Sequence, residues 1–263
     1  MLGLVHLAFA DPAPLPPHRI FPTAAAALDA VLVDHPRILA VGELHTTNAG
    51  PAVPSTLSVF TRDLFPVLAP HLTDLVLETW RIDGRCGEQA EVVSTAVQEA
   101  TARPVEVKSD LALLVEAAVA AGVRPHDLAF SCAEYNGLLD PSGTVDLGRL
   151  LRLLTIRLGE YATRAADTPD ATMVLYGGAV HNDLNPAAEV AEYSYTAPLA
   201  ARLGPDLVEL DLVQPELLTP RFTEPEWAPL LSLAAPDQVV LYARNVSSYV
   251  LLLPTVKPAQ PPG

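Results

Sequence analysis

The sequence predicts an α/β domain: a mainly parallel central sheet flanked by helices on both faces, with a C-terminal β-hairpin at one edge. Two observations predict this fold. Short apolar segments typical of buried strands alternate with segments of helical periodicity over most of the chain. Near the C-terminus, the apolar segments 239–242 and 249–253 flank a short connection, as in a hairpin. With 263 residues and 50% hydrophobic composition, the chain can bury one large core, so we expect a single domain over residues 19–253.

The predicted helices are segments whose apolar residues recur with a period of about 3.6. They are residues 23–33, a segment that opens at 54–55, residues 88–102, a segment that begins at Asp110, and residues 147–161. We expect Pro66 to kink or end the second of these. Asp110 is expected to be an N-cap and Gly122 a C-terminal stop.

The predicted strands are shorter apolar segments bounded by turn-forming residues. They are residues 38–41, 74–78, 104–107, 128–130, 172–176 and 207–213. The segment 140–143, Asp-Pro-Ser-Gly, is predicted to form a turn.

Both ends of the chain have compositions that differ from the rest. Residues 1–10 are almost all apolar and end in a small-x-small pattern, and a proline-rich spacer follows, so residues 1–18 are predicted to be a signal remnant and spacer. We therefore expect export to the periplasm or the medium, although the absence of a basic n-region leaves a cytoplasmic location open. If the protein is exported, Cys86 and Cys132 could form a single disulfide. The proline-rich segment 254–263 is predicted to be a disordered tail.

The charge composition excludes one class of partner. Acidic residues outnumber basic ones by 31 to 16, for a formal charge of −15, so nucleic acid would be repelled. No segment after the first ten residues approaches about 20 uninterrupted apolar residues, so no membrane span is expected. The sequence also lacks a Gly-x-Ser-x-Gly setting, a dinucleotide-binding glycine motif and a P-loop.

Ionisable side chains follow three of the predicted strands. Gly42-Glu43-Leu44-His45 comes directly after the first strand, and Gly177-Gly178-Ala179-Val180-His181 comes after the strand at 172–176. Between them, Glu78 ends the strand at 74–78. Ligands of open α/β sheets bind at the carboxyl ends of the strands, so we expect Glu43, His45, Glu78 and His181 to form one cleft.

Each of these side chains also has a purely structural interpretation. Glu43 and His45, two residues apart, point to the same side only if the chain stays extended; otherwise they make local caps and hydrogen bonds. Glu78 ends an apolar segment, where a buried charge needs a partner, and an ion pair with Arg81 or Arg85 is the alternative.

His181 is the stronger site candidate of the second motif. Asp183, two residues further on, either takes part in the site or caps a turn before Asn185-Pro186.

Two histidines and two carboxylates are a plausible ligand set for a divalent metal such as Zn²⁺, Mn²⁺ or Fe²⁺. The leading hypothesis is a metal-dependent hydrolase with its catalytic and metal-binding groups among Glu43, His45, Glu78 and His181. Both histidines and at least one of the two glutamates hold the metal, which lowers the pKa of a bound water, and a remaining carboxylate is the general base. In a version without metal, His45 deprotonates the water while Glu43 orients its ring. The substrate, a small molecule or a peptide, stays open.

These motifs, in this order over about residues 38–183, resemble the superfamily that joins ChaN-type haem-binding lipoproteins, erythromycin esterases and Tiki/TraB-type metalloproteases. The resemblance implies an α/β fold with the glycine-histidine motifs lining one cleft, and a polar site at Glu43, His45, Glu78 and His181. It also implies an alternative function, a haem-binding protein for iron uptake without catalysis. In that case Tyr193 or Tyr195 could face the haem; otherwise the pair covers a core face.

Overall fold

The computed structural model describes residues 15–45, 53–84, 86, 88–101, 106–218 and 225–256. Within these ranges the chain forms an α/β fold around a mixed, mostly parallel eight-stranded sheet, which confirms the predicted fold class. The strands are β1 (His18–Phe21), β2 (Ile38–Glu43), β3 (Asp74–Asp83), β4 (Arg124–Ser131), β5 (Met173–Gly178), β6 (Leu207–Val213), β7 (Val239–Asn245) and β8 (Ser248–Leu252). Their order across the sheet is β1-β7-β8-β6-β2-β5-β3-β4.

The C-terminal hairpin is present, but its predicted place at the edge of the sheet is wrong. β8 pairs in parallel with β6, and β7 pairs antiparallel with both β8 and β1, so β1 is the outer strand. This edge strand was not predicted because it has four residues, His18–Phe21, with two polar side chains among them. Their backbone hydrogen bonds to β7 decide the structure of so short a segment more than its composition does.

The helices connect successive strands. They are α1 (Ala24–Val31), α2 (Thr56–Val59), α3 (Phe65–Leu68), α4 (Glu88–Thr101), α5 (Glu106–Ala120), α6 (Cys132–Asn136), α7 (Leu147–Asp167), α8 (Ala179–Asn182) and α9 (Ala197–Leu203). A π-helical turn, Phe60–Leu64, joins α2 to α3, and short 3₁₀ turns occupy Ala69–His71, Ala191–Tyr193, Gly204–Asp206, Pro215–Leu217 and Ala228–Leu233. The helices predicted at 23–33, 88–102 and 147–161 are confirmed, as is the turn at 140–143.

Pro66 does not end its helix. The π-helical turn before it, in which Phe65 N donates to Phe60 O, widens the backbone ahead of a residue that has no N–H to donate, and α3 then continues to Leu68. Leu57, Phe60 and Leu64 are buried, as the predicted apolar face requires.

The strand predicted at 104–107 is wrong where it can be compared, because α5 already includes Glu106 and Val107; residues 102–105 lie outside the described ranges. The predicted N-cap, Asp110, is also inside α5, where its carboxylate accepts a 2.5 Å hydrogen bond from Ser55 Oγ. Packing of Val107 against the hydrophobic core overrides its strand propensity. Gly122, with φ +78°, follows the end of α5 as expected.

Three strands continue further than predicted, and this extension positions the candidate residues. β2 continues to Glu43, β5 to Gly178, and β3 to Asp83 with a register shift between Val76 and Trp80. The polar ends of these strands therefore belong to the sheet itself, which gives their side chains a fixed direction.

The core is divided by the alternation of side chains along the strands. On β2, Leu39 and Val41 enter one hydrophobic cluster, and Ile38 and Ala40 enter another. Coverage of both faces by helices along the whole sheet stays a prediction. No helix in the described part of the chain is long and apolar enough to cross a membrane. The predicted signal segment at 1–10 and most of the predicted tail lie outside the described residues.

Cys86 and Cys132 form a disulfide, with their Cα atoms 5.2 Å apart. The bond joins positions 46 residues apart in sequence, and the intervening chain contains α4, α5 and β4. It therefore ties the start of this segment to its end.

Candidate functional site

The four predicted residues come together because β2, β5 and β3 are neighbours in the sheet. Glu43 is the last residue of β2, and His45 follows two residues later. Glu78 lies in β3 beside β5, and His181 lies in α8, which begins directly after β5. All four side chains are linked by contacts of 3.9 Å or less.

The two carboxylate oxygens of Glu43 make different hydrogen bonds, one with His45 and one with Tyr176. Its Oε1 lies 2.8 Å from His45 Nδ1, and its Oε2 accepts a 2.5 Å hydrogen bond from the Tyr176 hydroxyl. A carboxylate can only accept, so Nδ1 of His45 carries the hydrogen and, in the neutral ring, Nε2 is the basic nitrogen. The chain beyond Gly42 is thus extended, as the hypothesis of one shared site requires.

Glu78 lies between the two imidazole rings. Its Oε1 is 3.5 Å from His45 Nε2, its Oε2 is 3.9 Å from His181 Nε2, and the backbone N–H of Gly178 donates a 2.5 Å hydrogen bond to Oε2. Arg81, one of the two arginines considered as its partner, pairs with Asp83 and Asp127 instead. Arg85 lies outside the described residues.

The glycines after β5 make room for this carboxylate and for His45. A Cβ on Gly177 would lie 2.4 Å from Glu78 Oε2, and a Cβ on Gly178 would lie 2.8 Å from His45 Nε2. Neither distance leaves space for a side chain. The double glycine therefore allows the backbone to approach the site closely rather than providing an unusual φ angle.

His181 is buried, and the tautomer of its neutral ring follows from its contacts. Its Nδ1 lies 2.9 Å from the carbonyl oxygen of Tyr193, which can only accept, and 3.0 Å from Thr155 Oγ1. Nδ1 is therefore the donor and Nε2 faces Glu78. Asp183, two residues later, accepts a 2.8 Å hydrogen bond from the Asn185 backbone, which is the turn-capping role considered above.

Sequence analysis missed the residues that hold this set in place: Tyr176, Thr155 and the N–H of Gly178. Tyr176 carried a usable signal, since it is a polar-tipped aromatic residue directly before the double glycine. Thr155 carried none, because it lies on the apolar face of α7 and meets His181 only through the tertiary fold.

A second polar cluster, also unpredicted, supports the segment that carries His181. Asn182 Nδ2 donates to Asp211 Oδ1 at 3.1 Å, and the Leu184 backbone donates to Glu209 Oε2 at 3.0 Å. Arg244 contacts both carboxylates, Glu209 at 2.5 Å and Asp211 at 2.9 Å. Burial and, to a smaller extent, the charge of Asp211 raise the pKa of the Glu209 carboxyl to about 8, although Arg244 opposes the shift.

A cavity of about 220 Å³ opens beside the candidate residues. Glu43, His45 and Glu78 line it together with apolar side chains of the sheet and of α2, α4 and α5. The volume is smaller than the 300–1,000 Å³ that is typical, roughly, of drug-sized ligand sites. It fits a small molecule or one end of a larger one.

Metal binding depends on how the four predicted ligands are arranged. Among the described residues, no three or more His, Cys, Asp and Glu side chains are arranged to hold a metal ion. The Nδ1 atoms of His45 and His181 are engaged by Glu43 and by the Tyr193 carbonyl, so a metal would have to bind at the Nε2 atoms. In this arrangement the four side chains do not form a metal-ligand set, and metal binding at Glu43, His45, Glu78 and His181 stays a prediction.

The two tyrosines considered for haem binding lie near His181 but not on the cavity. Tyr195 is buried in the core, where burial raises its pKa well above the usual value, with further contributions from Glu78 and Glu209. This disfavours the phenolate form that would ligate iron. Tyr193 is half-buried, and its carbonyl is used by His181.

Comparisons with known proteins leave the family open. The chain matches no protein-family model and no curated protein sequence. Among solved structures, it is similar to the type III effector HopBA1, with 13% sequence identity and a TM-score of 0.47 over 93% of this chain and 100% of that one.

Proposed function

We propose that this chain is a hydrolase in which His45, oriented by Glu43, deprotonates a water molecule that attacks a carbonyl carbon of its substrate. The observation that carries the proposal is the hydrogen-bonded series from Tyr176 through Glu43 to His45, which ends with a basic nitrogen at the wall of a cavity. A base whose ring is held by a carboxylate is the usual arrangement for proton abstraction in hydrolytic sites.

The roles follow from the tautomers. His45 Nε2 accepts the proton of the water, and Glu43 stabilises the imidazolium that forms. Glu78 Oε1, 3.5 Å from the same nitrogen, is close enough for one water to contact both atoms. The water oxygen bonds to the carbonyl carbon, the bond from that carbon to the leaving group breaks, and the proton passes from His45 to the leaving group.

His181 is the fourth member of the proposed set. Its Nδ1–H is committed to the Tyr193 carbonyl, so its Nε2 donates only in the imidazolium form. In that form it would pair with Glu78 Oε2, 3.9 Å away, so its role is to position Glu78; His181 is buried and is not among the residues that line the cavity.

The decisive experiment compares hydrolysis of small 4-nitrophenyl esters by the native protein, by His45→Gln and by His126→Gln. His126 is a matched control because its Nε2 lies 2.7 Å from the Asp74 carboxylate, at the start of β3, away from the cavity. We expect His45→Gln to lower kcat by about 10²–10⁴-fold, the usual contribution of a general base. Unchanged kcat in His45→Gln, or no hydrolysis by the native protein, would overturn the proposal.

The metal-dependent version of this hydrolase stays a prediction, and the same assay separates it from the version without metal. Activity that survives EDTA, with no stoichiometric metal in the purified protein, supports His45 as the direct base. Activity that EDTA abolishes and Zn²⁺, Mn²⁺ or Fe²⁺ restores would support the metal instead. The haem-binding alternative also stays a prediction; a saturable shift of the Soret band on adding haemin would support it.

We further propose that the protein works in an oxidising compartment outside the cytoplasm. The Cys86–Cys132 disulfide supports this, because such bonds persist in exported proteins and are rare in the cytosol.

A further inference from the structure

The cavity beside His45 has an uneven distribution of charge. At its base are the buried carboxylates Glu43 and Glu78. On its solvent side is Lys108, which is exposed and, among the described residues that line the cavity, carries the only permanent positive charge. The sequence contains just one other lysine, and its formal charge is −15, so a cation on this side stands out against an acidic protein.

The position of Lys108 is fixed by its helix. It lies in the first turn of α5, two residues before Asp110, whose carboxylate bonds to Ser55 Oγ at 2.5 Å. This bond joins the start of α5 to the residue that caps α2, and Leu57 of α2 lines the same cavity. The backbone of Lys108 is therefore fixed beside the cavity, and its exposed side chain lies on the solvent side.

Between the base and the solvent side, the wall is mostly apolar. Its side chains come from β3, α2, α4 and α5: Leu57, Leu77, Trp80, Val97, Val107 and Leu111. Trp80 is supported from behind by Phe130, with the two ring centroids 5.8 Å apart and the planes 22° from parallel. A wall of this kind binds a hydrocarbon or aromatic body.

We propose that the substrate is a small anionic amphiphile: its apolar body packs against this wall, its carboxylate or other anionic group lies at Lys108, and its cleavable ester or amide bond lies at His45. The negative base repels the anionic group and the positive charge on the solvent side attracts it, so the charge separation selects one orientation of the substrate. The choice of bond rests on the proposed hydrolase function; the choice of an anionic amphiphile rests on the cavity alone.

The kinetic test uses two esters with the same acyl chain length, the 4-nitrophenyl monoester of glutarate and 4-nitrophenyl valerate, which differ by the terminal carboxylate. For Lys108→Gln we expect KM for the glutarate ester to rise about fivefold, with KM for the valerate ester and both kcat values unchanged. Lys108→Arg should retain the preference. Arg202→Gln removes an equal charge from α9, away from the cavity, and should leave the preference for the glutarate ester unchanged. Equal effects of Lys108→Gln on both esters, or no effect on either, would overturn the inference.

A binding test separates failure of this inference from failure of the proposed function. Trp80 lines the cavity and Trp227 is the other tryptophan, so a Trp227→Phe background reports on Trp80 fluorescence alone. We expect hexanoate to change this fluorescence saturably and more strongly than hexanamide, and Lys108→Gln to remove the difference. If hexanoate binds more strongly than hexanamide but the protein hydrolyses no ester, the anionic site is supported and the hydrolase is rejected. Ester hydrolysis with equal binding of hexanoate and hexanamide rejects the anionic site and sustains the hydrolase.

Discussion

Glu43 and His45 are two residues apart in sequence, and their side chains meet at 2.8 Å at the end of a parallel strand. This contact requires the backbone to stay extended past Gly42, since only then do alternate side chains lie on one side. Tyr176, from the neighbouring strand, holds the other oxygen of Glu43. The carboxylate is thus fixed from both sides, and the orientation of the imidazole follows from the sheet.

Glu43→Gln should lower kcat for ester hydrolysis by about a hundredfold, because the amide orients His45 but cannot stabilise its imidazolium. Tyr176→Phe should have a smaller effect, about tenfold, since it removes one of the bonds that hold Glu43. Steady-state kinetics with a 4-nitrophenyl ester measures both changes. Tyr161→Phe, whose hydroxyl bonds to the Asp127 carbonyl outside the cavity, is the matched control and should match the native protein. Equal rates for Glu43→Gln and the native protein would contradict the assigned role.

Gly177→Ala should displace Glu78, because the added Cβ would lie 2.4 Å from its Oε2. We expect a loss of stability of about 1–3 kcal/mol, as for other overpacked sites, and a fall in kcat/KM of at least about tenfold. Gly159→Ala in α7 is the control: its Cβ would lie 3.5 Å from the nearest atom, and alanine favours the helix by up to about 1 kcal/mol. Urea unfolding and ester kinetics measure the two effects, and a Gly177→Ala protein with native activity would refute the close approach.

Stability should fall as the pH rises from about 5 to about 8, because the folded protein holds a proton on Glu209 that the unfolded chain releases near pH 4.5. A raised carboxyl pKa gives a contribution that is complete below the unfolded value and lost as the pH passes the folded value of about 8. Glu209→Gln, which keeps this side chain uncharged, should flatten the dependence measured by urea unfolding across this range.

The control for this pH effect is Glu192→Gln, which changes an exposed glutamate paired with Arg152. Its pH dependence should parallel that of the native protein. If the stability of Glu209→Gln depends on pH in the same way as that of the native protein, Glu209 does not hold a proton in the folded protein.

Replacing both cysteines, by Cys86→Ser and Cys132→Ser, should lower the free energy of unfolding by about 4 kcal/mol, the loop-closure value for a 46-residue separation. The main effect should fall on the segment with α4 and α5, which supplies part of the cavity wall. Hydrogen exchange of this segment and urea unfolding test the two statements. A double variant as stable as the native protein would show that the bond adds no constraint.

The sequence predicted the convergence of the four candidate residues better than it predicted the sheet edge or the start of α5. Glu43, His45, Glu78 and His181 were found because strand alternation and the common carboxyl edge of parallel strands are local rules with a spatial consequence. Glu106 and Val107 were placed in a strand because β-branched residues favour strands, and tertiary packing overrode this preference.

The residues that support the candidate site could not be predicted from the sequence, for a different reason. Thr155 bonds to a histidine 26 positions away, and Asn182 bonds to Asp211, 29 positions away in β6, so neither contact has a signature in local sequence. The same applies to β1, whose pairing with β7 joins the two ends of the described chain. Such contacts depend on the topology, which periodicity alone does not specify.

The insertion of β5 between β2 and β3 determines when the candidate site can form during synthesis. Tyr176 and Glu43 are 133 positions apart, and Gly178 and Glu78 are 100 apart. A nascent chain that has emerged only as far as α7 contains three of the four site residues, but lacks the strand that separates and orients them. Because pairings of such long sequence separation form slowly, the site is acquired late in folding and is absent from any N-terminal intermediate.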